Sequence, residues 1–193
     1  APPGRASGDR CRTGRRRRAL GCGELAARLG RDPAVTDPRG VGEWLGNRVV
    51  MVTGAGGSIG AELCRHIARF RPARLVLFDI SEAALYEIRT ALADGFAQLQ
   101  VASIVGDVKH AARVEQILAR ERPHVIVHAA AYKHVPLMEE DNAFQAGCNN
   151  TYGTWVLAGA AVAAQVGKFG RVSTATWDTP AAGMGACSGA AES

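Results

Sequence analysis

From Arg48 onward the chain alternates short apolar runs with amphipathic segments: "RVVMVT" precedes one over 61–70, "RLVLFD" one over 81–93, and "LQVASIV" one over 110–120. A fourth run, "HVIVHAA" from His124, leads into a long Ala-rich segment over 143–166, and a last candidate strand lies at 168–174. Strands apolar on both faces, each followed by a helix, predict a parallel sheet covered on two sides. Right-handed crossovers then give an α/β doubly wound parallel sheet, Rossmann-like, with strand order 3-2-1-4-5. The fifth run is the weakest, because "KFGRVST" puts Gly170 and Arg171 where a central strand should be apolar throughout.

Before Arg48 this pattern is absent. Residues 1–23, rich in Gly, Pro and Arg, have no periodicity and are expected to form a disordered basic tail. Residues 24–47 read as a helical lead-in of two short helices, the first stopped by Gly30 and the Asp32-Pro33 pair, the second around 41–45. Residues 48–193 then form the nucleotide-binding domain.

Charge changes the picture little. The net charge is +5, but the first 40 residues hold ten Arg against four acids, so the rest sums to −1. The "RRRR" at 15–18 reads as a solvated tail, and nucleic acid is not an expected partner. At 47% hydrophobic the chain can bury one sizeable core. Cys11, Cys22, Cys64, Cys148 and Cys187 are odd in number and show no metal-ligand spacing, which favours a reducing, cytoplasmic location and no metal. No run of 18 apolar residues occurs, so no membrane span is expected, and the Arg-rich start lacks the apolar stretch of a secretory signal.

The turn after the first strand, "VTGAGGSIG", places glycines at 54, 57 and 60. Gly54 allows the tight turn, Gly57 lets the backbone approach a pyrophosphate, and Gly60 permits close packing of helix on sheet. Ser58 and Ile59 add N–H donors at the positive end of the helix. Asp79, at the end of the second strand, is placed to accept hydrogen bonds from ribose hydroxyls and to repel a 2′-phosphate, favouring NAD over NADP; it also reads as a helix cap or first-turn charge beside Ser81. After the third strand, Asp107 and Val108 offer a carboxylate and an apolar side chain where an adenine would lie, or an ordinary capped turn.

At "VTGAGGSIGAELCRHIARF", "LFDISEAALYEI", "GDV" and above all "HAAAYKHVPLMEED", the sequence closely resembles the extended short-chain dehydrogenase/reductase family, and within it the CapD-type polysaccharide-biosynthesis nucleotide-sugar dehydratases and epimerases. The resemblance runs from about Glu24 to Ser193, with "AAAYKHVPLME" its most specific part. It implies NAD or NADP held by Gly54, Gly57, Gly60, Asp79, Asp107 and Val108, with Ala129, Ala130 and Ala131 beside the cofactor. It also implies action on UDP-N-acetylhexosamines: the cofactor takes a hydride from C4, water leaves across C5 and C6, and the hydride returns, often with epimerisation. Lys133 and His134 then look like substrate-pocket residues, although by themselves they read as a solvated loop pair. Asn150, in "NTYGT", matches the family's "NxxGT" and is assigned a pocket role toward substrate. A homo-oligomer is compatible with all of this.

The stretch "STATWDTPAAGMGACS" aligns without gaps to a family pattern that ends in lysine and carries an Asp-Lys pair. Ala175, Thr176 and Ser188 stand where the two residues of that pair and the final Lys are expected, and Met184 occupies the Tyr/Met position. None of the three replacements titrates near neutrality, and acid/base groups typically supply roughly 100- to 10,000-fold in rate. Thr174 remains as a hydrogen-bonding group for a sugar hydroxyl. No Tyr-x-x-x-Lys occurs either, since Tyr86, Tyr132 and Tyr152 are followed four residues on by Thr90, Pro136 and Val156. Relative to the family pattern, the domain is expected to be C-terminally incomplete, without the part that closes over the nucleotide-sugar and without the membrane-spanning N-terminal region of long forms. The alternative expectation is a catalytically inactive nucleotide-binding remnant or a decayed reading frame.

Overall fold

A computed structural model describes residues 38–132, Met138 and residues 141–172. The expected tail over 1–23, the first lead-in helix, and the positions Lys133, His134, Thr174, Ala175, Thr176, Met184 and Ser188 lie outside the described residues.

Helix α1 (Pro38–Leu45) opens the described chain with Pro38 at its first position, where a missing N–H costs nothing. Then follow β1 (Val49–Thr53), α2 (Ser58–Arg69), β2 (Arg74–Asp79), α3 (Glu82–Gly95), β3 (Val101–Val105), α4 (Ala111–Glu121) and β4 (Val125–His128). The last part is α5 (Ala143–Gly147), a π-helical turn (Cys148–Tyr152), α6 (Gly153–Ala163) and β5 (Lys168–Arg171). All five strands are parallel, in the order β3-β2-β1-β4-β5, as the alternating pattern predicts.

Alternation along β1 explains the two cores. Val50 and Val52 point into one layer with Leu75, Leu77 and helices α2 and α3, through Cys64, Ile67, Leu85 and Ile88. Met51 points into the other with Val76, Phe78, Ile126 and helices α4 and α6, through Ile117, Leu118 and Leu157. A strand buried on both faces must be apolar along its covered span, and β1 from Val49 to Val52 and β2 from Leu75 to Phe78 are, with polar residues only at the strand ends. At the other end of the scale, β5 pairs only with β4 among the described residues, and Lys168, Phe169 and Gly170 are exposed. Its polar composition suits an edge rather than a sheet centre.

Four helix-to-strand connections share a device. Asn47, Arg71, Arg122 and Gln165 follow α1, α2, α4 and α6 with φ of 53°, 52°, 46° and 53°. Each turns the chain out of its helix two or three residues before the next strand, by a left-handed conformation more commonly given to glycine.

The Ala-rich segment is not one continuous helix. Asn149 and Asn150 are both buried, and both turn side chains inward, which an α-helix cannot easily allow two successive residues. The widened π turn accommodates them.

Candidate functional site

The carboxyl ends of β1 to β4 converge on a cavity of about 290 Å³ lined by the glycine turn, Asp79, Asp107, Val108, Ala129, Ala130, Ala131 and Asn149, among others. Open α/β sheets bind ligands at this end. A larger cavity, about 950 Å³, lies at the amino ends of the strands, lined in part by Trp44, Arg122, His124 and Lys168.

The turn is built by crowding. Gly54 has φ 67°, and a Cβ there would lie 2.6 Å from Ala130 Cα and 2.7 Å from the Ala129 carbonyl oxygen. Gly57 N donates to Gly54 O at 3.1 Å, closing the turn. Gly60 is buried, and a Cβ there would run into the Gly54 carbonyl and lie 3.0 Å from Ala55 Cα, so the missing side chain lets α2 seat on the strand end. At Gly57 the only close neighbour of a Cβ among the described residues is Gly54 O at 3.4 Å, so no described side chain fills the space above it. Gly57 is also the N-cap of α2 and, lacking a side chain, leaves the first-turn N–H groups of Ser58 and Ile59 without a side-chain cap among the described residues.

Gly56 is a contributor the spacing rule does not single out. Its N–H donates to Asp79 Oδ2 at 2.9 Å, while Ser81 N donates to Asp79 Oδ1 at 2.9 Å. Asp79 therefore ties β2 to the glycine turn, and each of its oxygens keeps acceptor capacity. The cap of α3 is Ser81, whose Oγ accepts from Ala84 N at 3.3 Å.

Asp107 closes its own turn. Its Oδ1 accepts from Lys109 N at 2.9 Å, and its Oδ2 pairs with Lys109 Nζ at 2.9 Å. Partial burial pushes its carboxyl up, but the Lys109 hydrogen bonds and the charges of Lys109 and His110 outweigh this and hold it below the ordinary aspartate value. It is an ionised acceptor beside the cavity. The α4 cap is His110, whose Nδ1 accepts from Arg113 N at 3.1 Å, so Asp107 is not the cap. Val108 is buried against Gly153 of α6 at the cavity wall.

The π turn grips the strand β4 exit. Asn149 Nδ2 donates to Ala130 O at 2.8 Å; Asn150 Oδ1 accepts from Tyr132 N at 2.7 Å, and its Nδ2 donates to Tyr132 O at 3.1 Å. Asn150 thus spends its amide on the backbone that leads into Lys133, and Asn149 is the one of the pair that lines the cavity. Beneath them runs a buried chain. Thr154 Oγ1 donates to Asn150 O at 2.6 Å, which leaves its lone pairs to accept from His128 Nε2 at 2.9 Å. His128 Nδ1 lies 2.6 Å from Thr53 Oγ1, so the ring bridges the two hydroxyls within the core. Thr53 lies 75 residues from His128 in sequence, and no local signal announces the pairing. Among the described residues no cluster of metal-ligating side chains occurs, and no helix is long and apolar enough to cross a membrane.

Comparison with known proteins places this geometry. Residues 50–193 match the family model described as "Polysaccharide biosynthesis protein". Over 88% of its length the chain is 36% identical to a capsular polysaccharide biosynthesis protein CapD of Staphylococcus aureus, and over 82% it is 37% identical to a probable polysaccharide biosynthesis protein EpsC of Bacillus subtilis. These matches span only 28% and 26% of the two relatives, so the chain corresponds to about a quarter of their length. Among solved structures, Pen from Bacillus thuringiensis superposes with a TM-score of 0.70 at 26% identity, covering 77% of this chain and 46% of that one. The fold is also that of a UDP-glucose 4-epimerase from Stenotrophomonas maltophila, solved with NAD and formylated UDP-arabinopyranose, at a TM-score of 0.65, 20% identity, and coverage of 75% and 46%. With its glycine turn, its sheet order and a family match over most of its length, the chain belongs to the polysaccharide biosynthesis protein family.

Proposed function

We propose that the chain is the cofactor-holding part of a nucleotide-sugar dehydratase or epimerase, binding NAD in preference to NADP. The observation that carries this is the seat made by the uncapped first turn of α2, the space above Gly57 that no described side chain fills, and the Asp79 and Asp107 carboxylates along the same cavity. In this reading the Ser58 and Ile59 N–H groups hold the pyrophosphate, and Asp79 accepts from the ribose hydroxyls. Asp107, kept ionised by Lys109, accepts from the adenine amino group. When bound, the cofactor supplies a hydride acceptor. Ala129 and Ala130 leave room beside it, and Asn150 positions the backbone entering Lys133 and His134, the proposed contacts to a UDP-N-acetylhexosamine.

Calorimetric titration of the full chain tests the reading. Saturable NADH binding, with NADPH at least tenfold weaker, supports it; no binding at millimolar cofactor overturns it, and equal affinities overturn the NAD preference. A second reading rests on Ala175, Thr176 and Ser188: a chain that binds the cofactor without turnover. Incubation with NAD and UDP-N-acetylglucosamine separates the two. A 4-keto-6-deoxy sugar product establishes the enzyme, and cofactor binding without product establishes the remnant.

A further inference from the structure

The amino ends of β1, β4 and β5 stand in a row. His124 N donates to Val49 O at 2.8 Å and Lys168 N donates to His124 O at 3.1 Å, so Arg48, His124 and Lys168 introduce three neighbouring strands side by side. With strands about 4.8 Å apart, Arg48 and Lys168 start about 10 Å from one another, a span that two long side chains close around a small anion. Together with Arg122 they line the cavity of about 950 Å³ at this end of the sheet. Lys168 Nζ lies 3.7 Å from the centre of the Trp44 ring, which holds the ammonium at the wall. His124 turns its Nδ1 to Val49 N at 3.2 Å and does not count among these cations.

Two residues of the same cavity carry strain that glycine would avoid. Arg122 and Gln165, at the exits of α4 and α6, have φ of 46° and 53°. Glycine takes this conformation freely, other residues only at a cost, and such costs concentrate at ligand sites. Here the cost keeps a guanidinium and an amide on the cavity wall. A helix dipole also favours a cation after α4, but Arg48 and Lys168 introduce strands and have no such reason.

The lining selects the ligand. Arg48, Arg122 and Lys168 share the cavity with two acids, Glu43 and Glu115, and none of the five is ion-paired among the described residues. So small an excess of positive charge suits a phosphate monoester better than a di- or triphosphate. The cavity is far larger than a phosphate, and Leu118, Ala119, Ala160, Ala163 and Ala164 give it an apolar wall of mostly short side chains, on which a planar ring can lie. Glu43 and Glu115 are then acceptors for sugar hydroxyls.

We infer that this cavity is a second ligand site, apart from the one at the carboxyl ends, and that it takes a nucleoside monophosphate: the phosphate on Arg48, Arg122 and Lys168, the base against the apolar wall. The inference stands whether or not the chain binds NAD. Equilibrium dialysis of the full chain tests it, with uridine monophosphate as the probe because an adenine nucleotide would also seek the carboxyl-end cavity. One nucleotide per chain should bind below millimolar concentration. Arg122→Gly and Lys168→Gln should each weaken it roughly 10- to 100-fold, as loss of a charge-assisted hydrogen bond does, while Gly57→Ala leaves it unchanged. Arg122→Gly removes strain along with the side chain, and Lys168→Gln changes an exposed strand residue, so weakened binding at an undiminished melting temperature separates loss of the site from loss of the fold. No binding at millimolar nucleotide, binding equal to wild type in both cavity variants, or binding lost in Gly57→Ala overturns the site. Inorganic phosphate that competes as well as the nucleotide overturns the nucleoside class.

Discussion

Gly56 and Asp79 are joined by a 2.9 Å hydrogen bond from the backbone of the glycine turn to the carboxylate at the end of the neighbouring strand. One side chain thus shapes the turn and faces the cavity at once. Asp79→Ala should lose both tasks: charge-assisted hydrogen bonds contribute roughly 1.5–3 kcal/mol, so NADH affinity should fall about 10- to 100-fold. Fluorescence titration with NADH checks this, and an affinity within twofold of wild type would remove Asp79 from the site.

Two glycines of the same turn should respond oppositely to a methyl group. Gly57→Ala has space within the protein, so its melting temperature should stay within a few degrees while NADH binding drops at least tenfold. Gly54→Ala combines φ 67° with a Cβ 2.6 Å from Ala130 Cα, and should cost about 3 kcal/mol or more of stability. Urea melts of the two variants distinguish the roles.

Cys64 is buried, and burial pushes its thiol from 9.0 up to about 12, with Arg65 offsetting a little of the rise. The unfolded chain therefore loses this proton first. The contribution is fully present below pH 9.0 and declines toward about 12, at no more than ~1.4 kcal/mol per pH unit. Urea melts of wild type and Cys64→Ala across that range should show a flatter profile in the variant. Parallel slopes would count against the assignment.

His128 is held between Thr53 and Thr154 inside the core. His128→Leu matches much of its bulk but leaves both hydroxyls without the ring, a cost of about 2–4 kcal/mol. The double change of Thr53 to Val with His128 to Leu should recover part of that loss, and thermal unfolding of the three chains would show whether it does.

Arg122 ends α4 in the left-handed region at φ 46°. Arg122→Gly should relieve that strain and raise stability by up to about 1 kcal/mol, against the greater chain entropy glycine brings to the unfolded state. A lowered urea midpoint would mean that the Arg122 side chain holds the connection more firmly than its backbone is strained.

The fold was legible wherever physics is local. Runs such as "RLVLFD" are apolar at both parities because both faces are covered, and the strand order follows from crossover handedness. The turn glycines were legible because their spacing reflects one bend and one helix start. Bonds across long sequence separation were not: Thr53 with His128, or Asn149 with Ala130, depends on elements brought together only by the sheet. The π turn left no trace in an Ala-rich run whose apolar residues fit several periods equally. Nor do Arg71, Arg122 and Gln165 announce a left-handed backbone, since none is the glycine or asparagine that usually does.

The contact between Gly54 and the Ala129–Ala130 backbone bears on any redesign of the cavity. The two chain segments approach too closely for a methyl group, so they form one seam that can be altered only as a unit. Remodelling for a different nucleotide has to leave this seam alone and work outward from it, at Ile80 or Tyr132, whose side chains already reach solvent at the rim.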